Sequence, residues 1–350
     1  MDTTIAIYVH HHGSGHLMRA LQLAKALSKN KVILIGSALQ NTDTIELQNV
    51  ELLHLPLDVP DTDEQQKITS QAPDCFHYAP LGLRGIRDRI TMLTNFFKEK
   101  YPLLLVVDVS VEVTLLARLC GVPTVVIRQH GDRRDLPHQL AYQSAEIILA
   151  PFSREMYLGD KNRDYQKTIF TGGFSRFDHA ALEGIPSTSN IGILIGGGGS
   201  SINELLVQEI ASQLPDYTLH LVGNVNFKIN FSNVHVYGQL DNPLPILSIC
   251  NTIIGNTGHN TVMEAASIGS RFIGIPEERP YEEQKQKASS IEGRRGIRII
   301  DAKELRGQNW SQLIQDINAE DVDWKGVINP QALNLMAEAI IDTAKRSFGS

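Results

Sequence analysis

Four short segments hold the residues whose types and spacing could do chemistry. Gly13-Ser14-Gly15-His16 follows an apolar run at 5–9 and opens a helical pattern. Glycines there let the backbone turn sharply and a ligand approach, and free N–H groups at a helix start favour an anion. A dinucleotide fingerprint needs a third Gly, but Arg19 stands near that place and Ile35-Gly36-Ser37 ends the next strand without an acid, which disfavours a nicotinamide site. Gly196-Gly197-Gly198-Gly199-Ser200-Ser201 also lies between a strand and a helix, and no Gly-Lys-Ser/Thr follows it, so it is not a Walker A loop. Contact with a phosphate or an acceptor explains four consecutive glycines better than a plain turn does. In the third segment, running from Asn256-Thr257-Gly258-His259-Asn260 to Glu264, the amides at 258–260 would face a diphosphate at the positive end of a helix. The structural alternative is that Thr261-x-x-Glu264 forms a capping box. The fourth segment, 276–284, places Glu277, Glu278, Glu282 and Glu283 before and in a first helical turn, where acids commonly complement the dipole on a solvated face. Gln284, one turn in, is its candidate ligand contact.

Other polar clusters read as structural. His10-His11-His12 invites a metal, but side chains of successive strand residues alternate faces and cannot all converge on one ion. Asp61-Thr-Asp63 and Asp321-Val-Asp323 fall in polar connections. Cys75, Cys120 and Cys250 are too few and scattered for a disulfide framework or zinc cluster. No metal site and no bound cofactor is expected.

The elements that must position these residues alternate between strand and helix. Apolar β-branched runs at 5–9, 32–36, 103–107, 124–127 and 146–150 are separated by helical periodicity at 17–27, 113–119 and 136–145. The series restarts with strands at 191–195, 219–222, 234–237, 252–254, 272–275 and 297–300, and helices at 203–214, 261–268, 281–292 and 310–317. Such alternation predicts βαβ units and parallel sheets. A Gly/Ser/Thr/Pro-rich stretch at 170–190 divides the halves, giving an α/β chain with domains at 1–172 and 173–329. A last helix within 330–350, with Pro330 at its first position, has the length to cross back to the first domain. The segment 61–72 reads as a loop.

Composition agrees with a soluble two-domain protein. Of 350 residues 42% are hydrophobic and 20% charged, which excludes a largely disordered chain. A net charge of −7 argues against a general nucleic-acid binder. No apolar run is long enough to span a bilayer and the first lacks a basic leader, so the expected location is the cytoplasm.

These residues carry a resemblance. The sequence is similar to GT-B glycosyltransferases, nearest the MurG-type transferases of glycosyltransferase family 28, with features of the wider UDP-glycosyltransferases. Gly13 through Leu17, running into Ala20-Leu21 and Ala24, resembles the family's Gly-rich loop with its Gly-His pair. Gly258 through Glu264, Ala265-Ala266, Gly269, Pro276 and Gln284 through Ala288 follow the order and spacing of the nucleotide-sugar signature. The resemblance implies two Rossmann-like domains facing each other across a cleft, and inverting, metal-independent transfer of a sugar from a nucleotide-sugar donor to a hydroxyl acceptor.

 The donor it implies is a UDP-sugar, used as substrate.

By position, Glu264 would take the donor ribose hydroxyls, the amides of Gly258, His259 and Asn260 the diphosphate, and Gln284 the donor sugar, with Asn256 and Thr257 beside them. Arg176 matches an interdomain Arg that contacts the nucleotide, and Gly197, Gly198, Gly199 and Ser200 would line the cleft from below. His16 falls where many UDP-glycosyltransferases keep a catalytic histidine, and Asp108 where they hold the aspartate that orients it; His12 is the competing base. Gly13, Ser14, Gly15, Arg128 and His130 would lie on the acceptor side. The sequence departs from the pattern at Asn256, where many of these enzymes have His, and at Glu283-Gln284, where they have Asp-Gln. The acceptor is unidentified, a small molecule or a lipid-linked one, since MurG-type enzymes use lipid-linked acceptors. The basic amphipathic pattern of Ile86, Ile90, Leu93, Phe96 and Phe97 with Arg87, Arg89, Lys98 and Lys100 accordingly has two readings: core packing, or a peripheral contact with the inner face of the membrane. Rival readings on the same fold are a nucleotide-sugar hydrolase, a UDP-sugar 2-epimerase and a non-catalytic nucleotide-sugar-binding protein.

Overall fold

The structure is a computed structural model that describes residues 3–11, 14–40, 42, 47–60, 73–178, 180 and 184–349. His12, Gly13 and the segment 61–72 lie outside the described residues. The first half forms a seven-stranded sheet from β1 (Thr4–Val9), β2 (Val32–Gly36), β3 (Val50–His54), β4 (Leu103–Asp108), β5 (Thr124–Ile127), β6 (Ile147–Ala150) and β7 (Thr168–Phe170). Their order is β3-β2-β1-β4-β5-β6-β7, all parallel. The second half forms a six-stranded parallel sheet, β10-β9-β8-β11-β12-β13. Its strands are β8 (Ser187–Ile195), β9 (Thr218–Gly223), β10 (Val234–Gly238), β11 (Cys250–Asn256), β12 (Arg271–Ile275) and β13 (Ile297–Ile299).

Helices cover both sheets. Those described are α1 (Ser14–Ala26), α2 (Arg84–Glu99), α3 (Val111–Leu119), α4 (Leu136–Ser144), α5 (Arg163–Gln166), α6 (Glu204–Gln213), α7 (Leu244–Leu247), α8 (His259–Ile268), α9 (Glu283–Ile291), α10 (Trp310–Asn318) and α11 (Ala332–Phe348). The central strands carry continuous apolar runs because both faces are covered: every residue of β4 is buried, and all but its terminal Asp108 are apolar. Ile5, Ile7, Leu104 and Val106 point into one core layer, and Ala6, Tyr8, Leu105 and Val107 into the other. On α2, Leu93, Phe96 and Phe97 belong to that second layer, so its apolar stripe is used by the core.

Two chain crossings join the halves side by side. They pair with each other: Gly173 N, in the first, donates to Val327 O at 2.9 Å, and Asn329 N, in the second, donates to Gly173 O at 2.8 Å. Beyond the second crossing, α11 returns to the first sheet, where Met336 and Ile340, both fully buried, pack in the same cluster as Leu23 and Leu27 of α1. Pro330 is not the first helical residue; the helix starts at Ala332, with Gln331 as its N-cap.

Candidate functional site

In each sheet the strand order reverses once, between β1 and β4 and between β8 and β11. Ligands of open α/β sheets bind at the carboxyl ends of strands flanking such a reversal. His16, in the first turn of α1 after β1, and Asp108, the last residue of β4, flank the first reversal. His16 Nδ1 lies 3.1 Å from Asp108 Oδ2, and Arg19 Nε donates to the same oxygen at 3.1 Å. Burial pushes the Asp108 carboxyl up, but Arg19 and His16 outweigh it and hold the group at about 2. Asp108 is thus an ionised carboxylate, 1% exposed, that fixes the imidazole and leaves Nε2 of His16 as the ring atom available to a reactant. Val109 follows with φ 64°, a conformation unusual for a β-branched residue, next to the cleft it lines.

The second reversal gathers the glycine loop and the start of α8. Asn256 Nδ2 donates to Ser200 Oγ (3.2 Å) and to Glu277 Oε1 (2.9 Å), and Ser201 Oγ donates to Glu277 Oε2 (2.9 Å). Arg279 Nη2 donates to Gly199 O at 2.6 Å. Glu277 is therefore not a solvated dipole complement: it is 8% exposed and pins the loop after β8 to the end of β11. Thr257 Oγ1 donates to Gln284 O, while Gln284 Oε1 accepts from Glu277 N at 3.0 Å, so the Nε2 of Gln284 stays near Gly258.

The capping box at Thr261 and Glu264 is absent because α8 begins earlier, at His259, with Gly258 as N-cap and no side-chain cap. The amides of its first turn are left for another acceptor. Glu264 instead faces Arg176, whose Nε lies 2.9 Å from Glu264 Oε1, an ion pair poorly aligned as a hydrogen bond. Burial raises the Glu264 carboxyl above its usual range despite Arg176. Both line a small pocket with Met18, Arg19, His259 and Asn260, so the two domains meet here. Asn260 also abuts Gly15, where a Cβ would lie 3.1 Å from Asn260 Nδ2. Lys287, one turn beyond Gln284 on α9, places Nζ 3.2 Å from His259 Nδ1.

A cleft of about 960 Å³ between the domains is lined by His16, Gly15, Gly197, Gly198, Glu112, Tyr281 and Glu283. On its first-domain wall Asp135 contacts both His77 and His138. These three offer ligand atoms within 4.8 Å of one another, a spacing that suits a metal ion. Arg133 Nη1 lies 2.8 Å from His138 Nε2 and can only donate, which puts the His138 proton on Nδ1 towards Asp135. The arrangement is a hydrogen-bonded network rather than a set of open lone pairs. Burial and Arg133 hold His138 down at about 4. Arg128 and His130 line a neighbouring cavity of about 350 Å³ instead, with Arg128 Nη1 donating to Tyr157 Oη at 3.0 Å. His10 and His11 lie past the end of β1, and their rings stack with centroids 4.8 Å apart, so strand alternation does not govern them. Glu277, Arg279, Lys287 and the His77–Asp135–His138 group were not signalled as site residues by the sequence; each meets its partners only through the fold.

Two parallel sheets facing a common cleft, with the glycine loops at both reversals, define the GT-B fold. Residues 192–334 match the glycosyltransferase family 28 C-terminal domain. The UDP-N-acetylglucosamine–N-acetylmuramyl-(pentapeptide) pyrophosphoryl-undecaprenol N-acetylglucosamine transferase of Histophilus somni is 22% identical over 250 residues, 65% of this chain and 68% of that protein. The crystal structure of Acinetobacter baumannii MurG is similar with a TM-score of 0.65 at 15% identity, covering 98% of this chain and 100% of that one. Spinosyn rhamnosyltransferase SpnG complexed with thymidine diphosphate also gives 0.65, at 14% identity over 99% of this chain and 96% of that one. The chain is a glycosyltransferase of the GT-B type that resembles the MurG-type and UDP-glycosyltransferase families.

Proposed function

We propose that the enzyme transfers a sugar, with inversion and without a metal ion, from a UDP-sugar to a hydroxyl acceptor. The observation that carries this reading is the His16–Asp108 pair at 3.1 Å, beside a cleft whose opposite wall is the uncapped start of α8. His16 Nε2 takes the proton of the acceptor hydroxyl as its oxygen bonds to the anomeric carbon. The bond from that carbon to the diphosphate oxygen breaks, and its electron pair leaves with the nucleoside diphosphate. Asp108 stabilises the imidazolium that forms. The α8 amides at Gly258, His259 and Asn260 meet the diphosphate, so the positive charge a metal would supply comes from the protein. Glu264 takes the ribose, Arg176 the nucleotide and Gln284 the sugar, which requires the present Arg176–Glu264 pair to open. The UDP donor follows the name of the Histophilus relative, and the SpnG complex keeps dTDP as the alternative pyrimidine nucleotide. That relative's name also supports a lipid-linked acceptor approaching the first-domain side from a membrane surface. No helix among the described residues is long and apolar enough to cross a membrane, so the contact would be peripheral.

The test is thermal unfolding with UDP, dTDP, GDP, ADP and NAD in chelator. A nucleotide at about 100 times its dissociation constant stabilises the fold by about 2.7 kcal/mol. Selective stabilisation by UDP or dTDP supports the reading; stabilisation by NAD alone contradicts it.

A further inference from the structure

Two buried cationic side chains, Lys287 and Arg19, approach the first residue of α8, and among the described residues only Arg19 has a carboxylate partner, Asp108. Lys287 is 1% exposed, its ammonium sits 5.6 Å from the centre of the Phe152 ring, and among the described residues no carboxylate lies within 4.0 Å of it. Its nearest polar partner is His259 Nδ1. From the other domain Arg19, 6% exposed, lines the pocket shared with His259 and Asn260. Its Nε is spent on Asp108, but its Nη1 is buried with no partner, as is His259 Nε2. The nearby carboxylates are already engaged: Asp108 serves His16 as well as Arg19, and Glu264 serves Arg176. A buried cation without a counter-charge is costly, and an anion at this point would relieve Lys287 while also taking the unpartnered Nη1 of Arg19.

We propose that Arg19 and Lys287, one from each domain, form with the α8 amides a cationic clamp for the diphosphate of the donor. The inference rests on the reading of the site given above and adds the side chains that recognise the leaving group. Arg19 offers Nη1 and Lys287 its ammonium to the phosphate oxygens, whose negative charge grows as the sugar departs. Because the two come from different domains, the clamp is complete only when the domains are closed. The groups facing Lys287 are Glu283 on its own helix, Arg19 on α1, His259 on α8 and His130 after β5. Burial, with Arg19, holds the Lys287 ammonium down at about 7 against the pull of Glu283, so a bound diphosphate would restore its charge.

The experiment is titration calorimetry of the whole protein with UDP and with uridine, for wild type, Lys287→Met, Arg19→Gln and Arg19→Lys. The clamp predicts that Lys287→Met and Arg19→Gln each weaken UDP by roughly 10- to 100-fold while uridine affinity holds, and that Arg19→Lys recovers part of the loss. It also predicts that wild-type UDP affinity falls by up to about tenfold per pH unit above pH 7, a dependence missing from Lys287→Met. An unchanged ratio of UDP to uridine affinity in both charge-removing variants overturns the clamp and leaves the transferase reading standing. Wild type that binds neither UDP nor dTDP overturns both.

Discussion

Replacing Asp108 by Asn tests the electrostatics at the centre of the site. The carboxyl is 1% exposed and held at about 2, against the usual 3.8, by Arg19 and His16 in spite of burial. That preference for the ionised form is worth about 2–3 kcal/mol of folding free energy. The sign follows from the depressed value: the contribution is present above the unfolded group's range and is lost as pH falls from about 4 towards 2. Asp108→Asn removes it at neutral pH and also leaves the Arg19 guanidinium buried beside a neutral group, a cost of about 3–5 kcal/mol. For a unit of this size that lowers the midpoint by roughly 6–20 °C. Calorimetric scans of wild type, Asp108→Asn, Arg19→Met and the double variant at pH 7 and pH 3 give the answer. The double variant should be more stable than the sum of the two single losses implies, by about 2 kcal/mol. The gap between wild type and Asp108→Asn should narrow at pH 3. A midpoint for Asp108→Asn within about 1 °C of wild type at pH 7, or strictly additive losses, would refute the buried, shared carboxylate.

Other perturbations probe the frame around that pair. Gly131 has φ 116°, and a Cβ there would lie 2.7 Å from Tyr281 O in the other domain, so Gly131→Ala should loosen domain closure. Small-angle scattering should show a larger radius of gyration for the variant, and its turnover should fall. Lys287, held at about 7 rather than 10.5, has lost its proton in the native state over a window where the unfolded chain keeps it. Wild-type stability should therefore rise from pH 7 towards pH 10 relative to Lys287→Met, as read by urea unfolding. Ile340→Ala should cost about 2–5 kcal/mol in the same assay, because the side chain is fully buried where α11 covers the first sheet.

Much of this arrangement was legible in the residue pattern, for a physical reason. Strand segments buried on both faces must be apolar, so the runs inside β1, β4, β8 and β11 announce themselves, and the glycine loops after β1 and β8 mark the sheet reversals. β3 and β7 were missed: Val50–His54 is only partly buried at a sheet edge, and Thr168–Phe170 has three residues. The His16 and Asp108 candidates do meet, 92 positions apart. Glu277 has the sequence pattern of a solvated acid because its partners Asn256 and Ser201 lie 21 and 76 positions away, beyond any local pattern. Arg19 and Lys287 look like ordinary helix residues in the sequence, because their contacts with Asp108, and with His259 and Phe152, are made only by the fold. Helix starts were equally hard to place: moving the first turn of α8 back to His259 turns Glu264 from a cap into a partner of Arg176.

The most direct measurement follows the reaction by proton and phosphorus NMR, using UDP-sugars with and without candidate hydroxyl acceptors, for wild type and His16→Ala. The account predicts that wild type releases UDP only as the sugar appears on the acceptor with inverted anomeric configuration. It predicts that His16→Ala binds the donor with similar affinity yet turns over roughly 10²- to 10⁴-fold more slowly. Free sugar formed at the same rate without any acceptor, retained configuration in the product, or full activity in His16→Ala would contradict it.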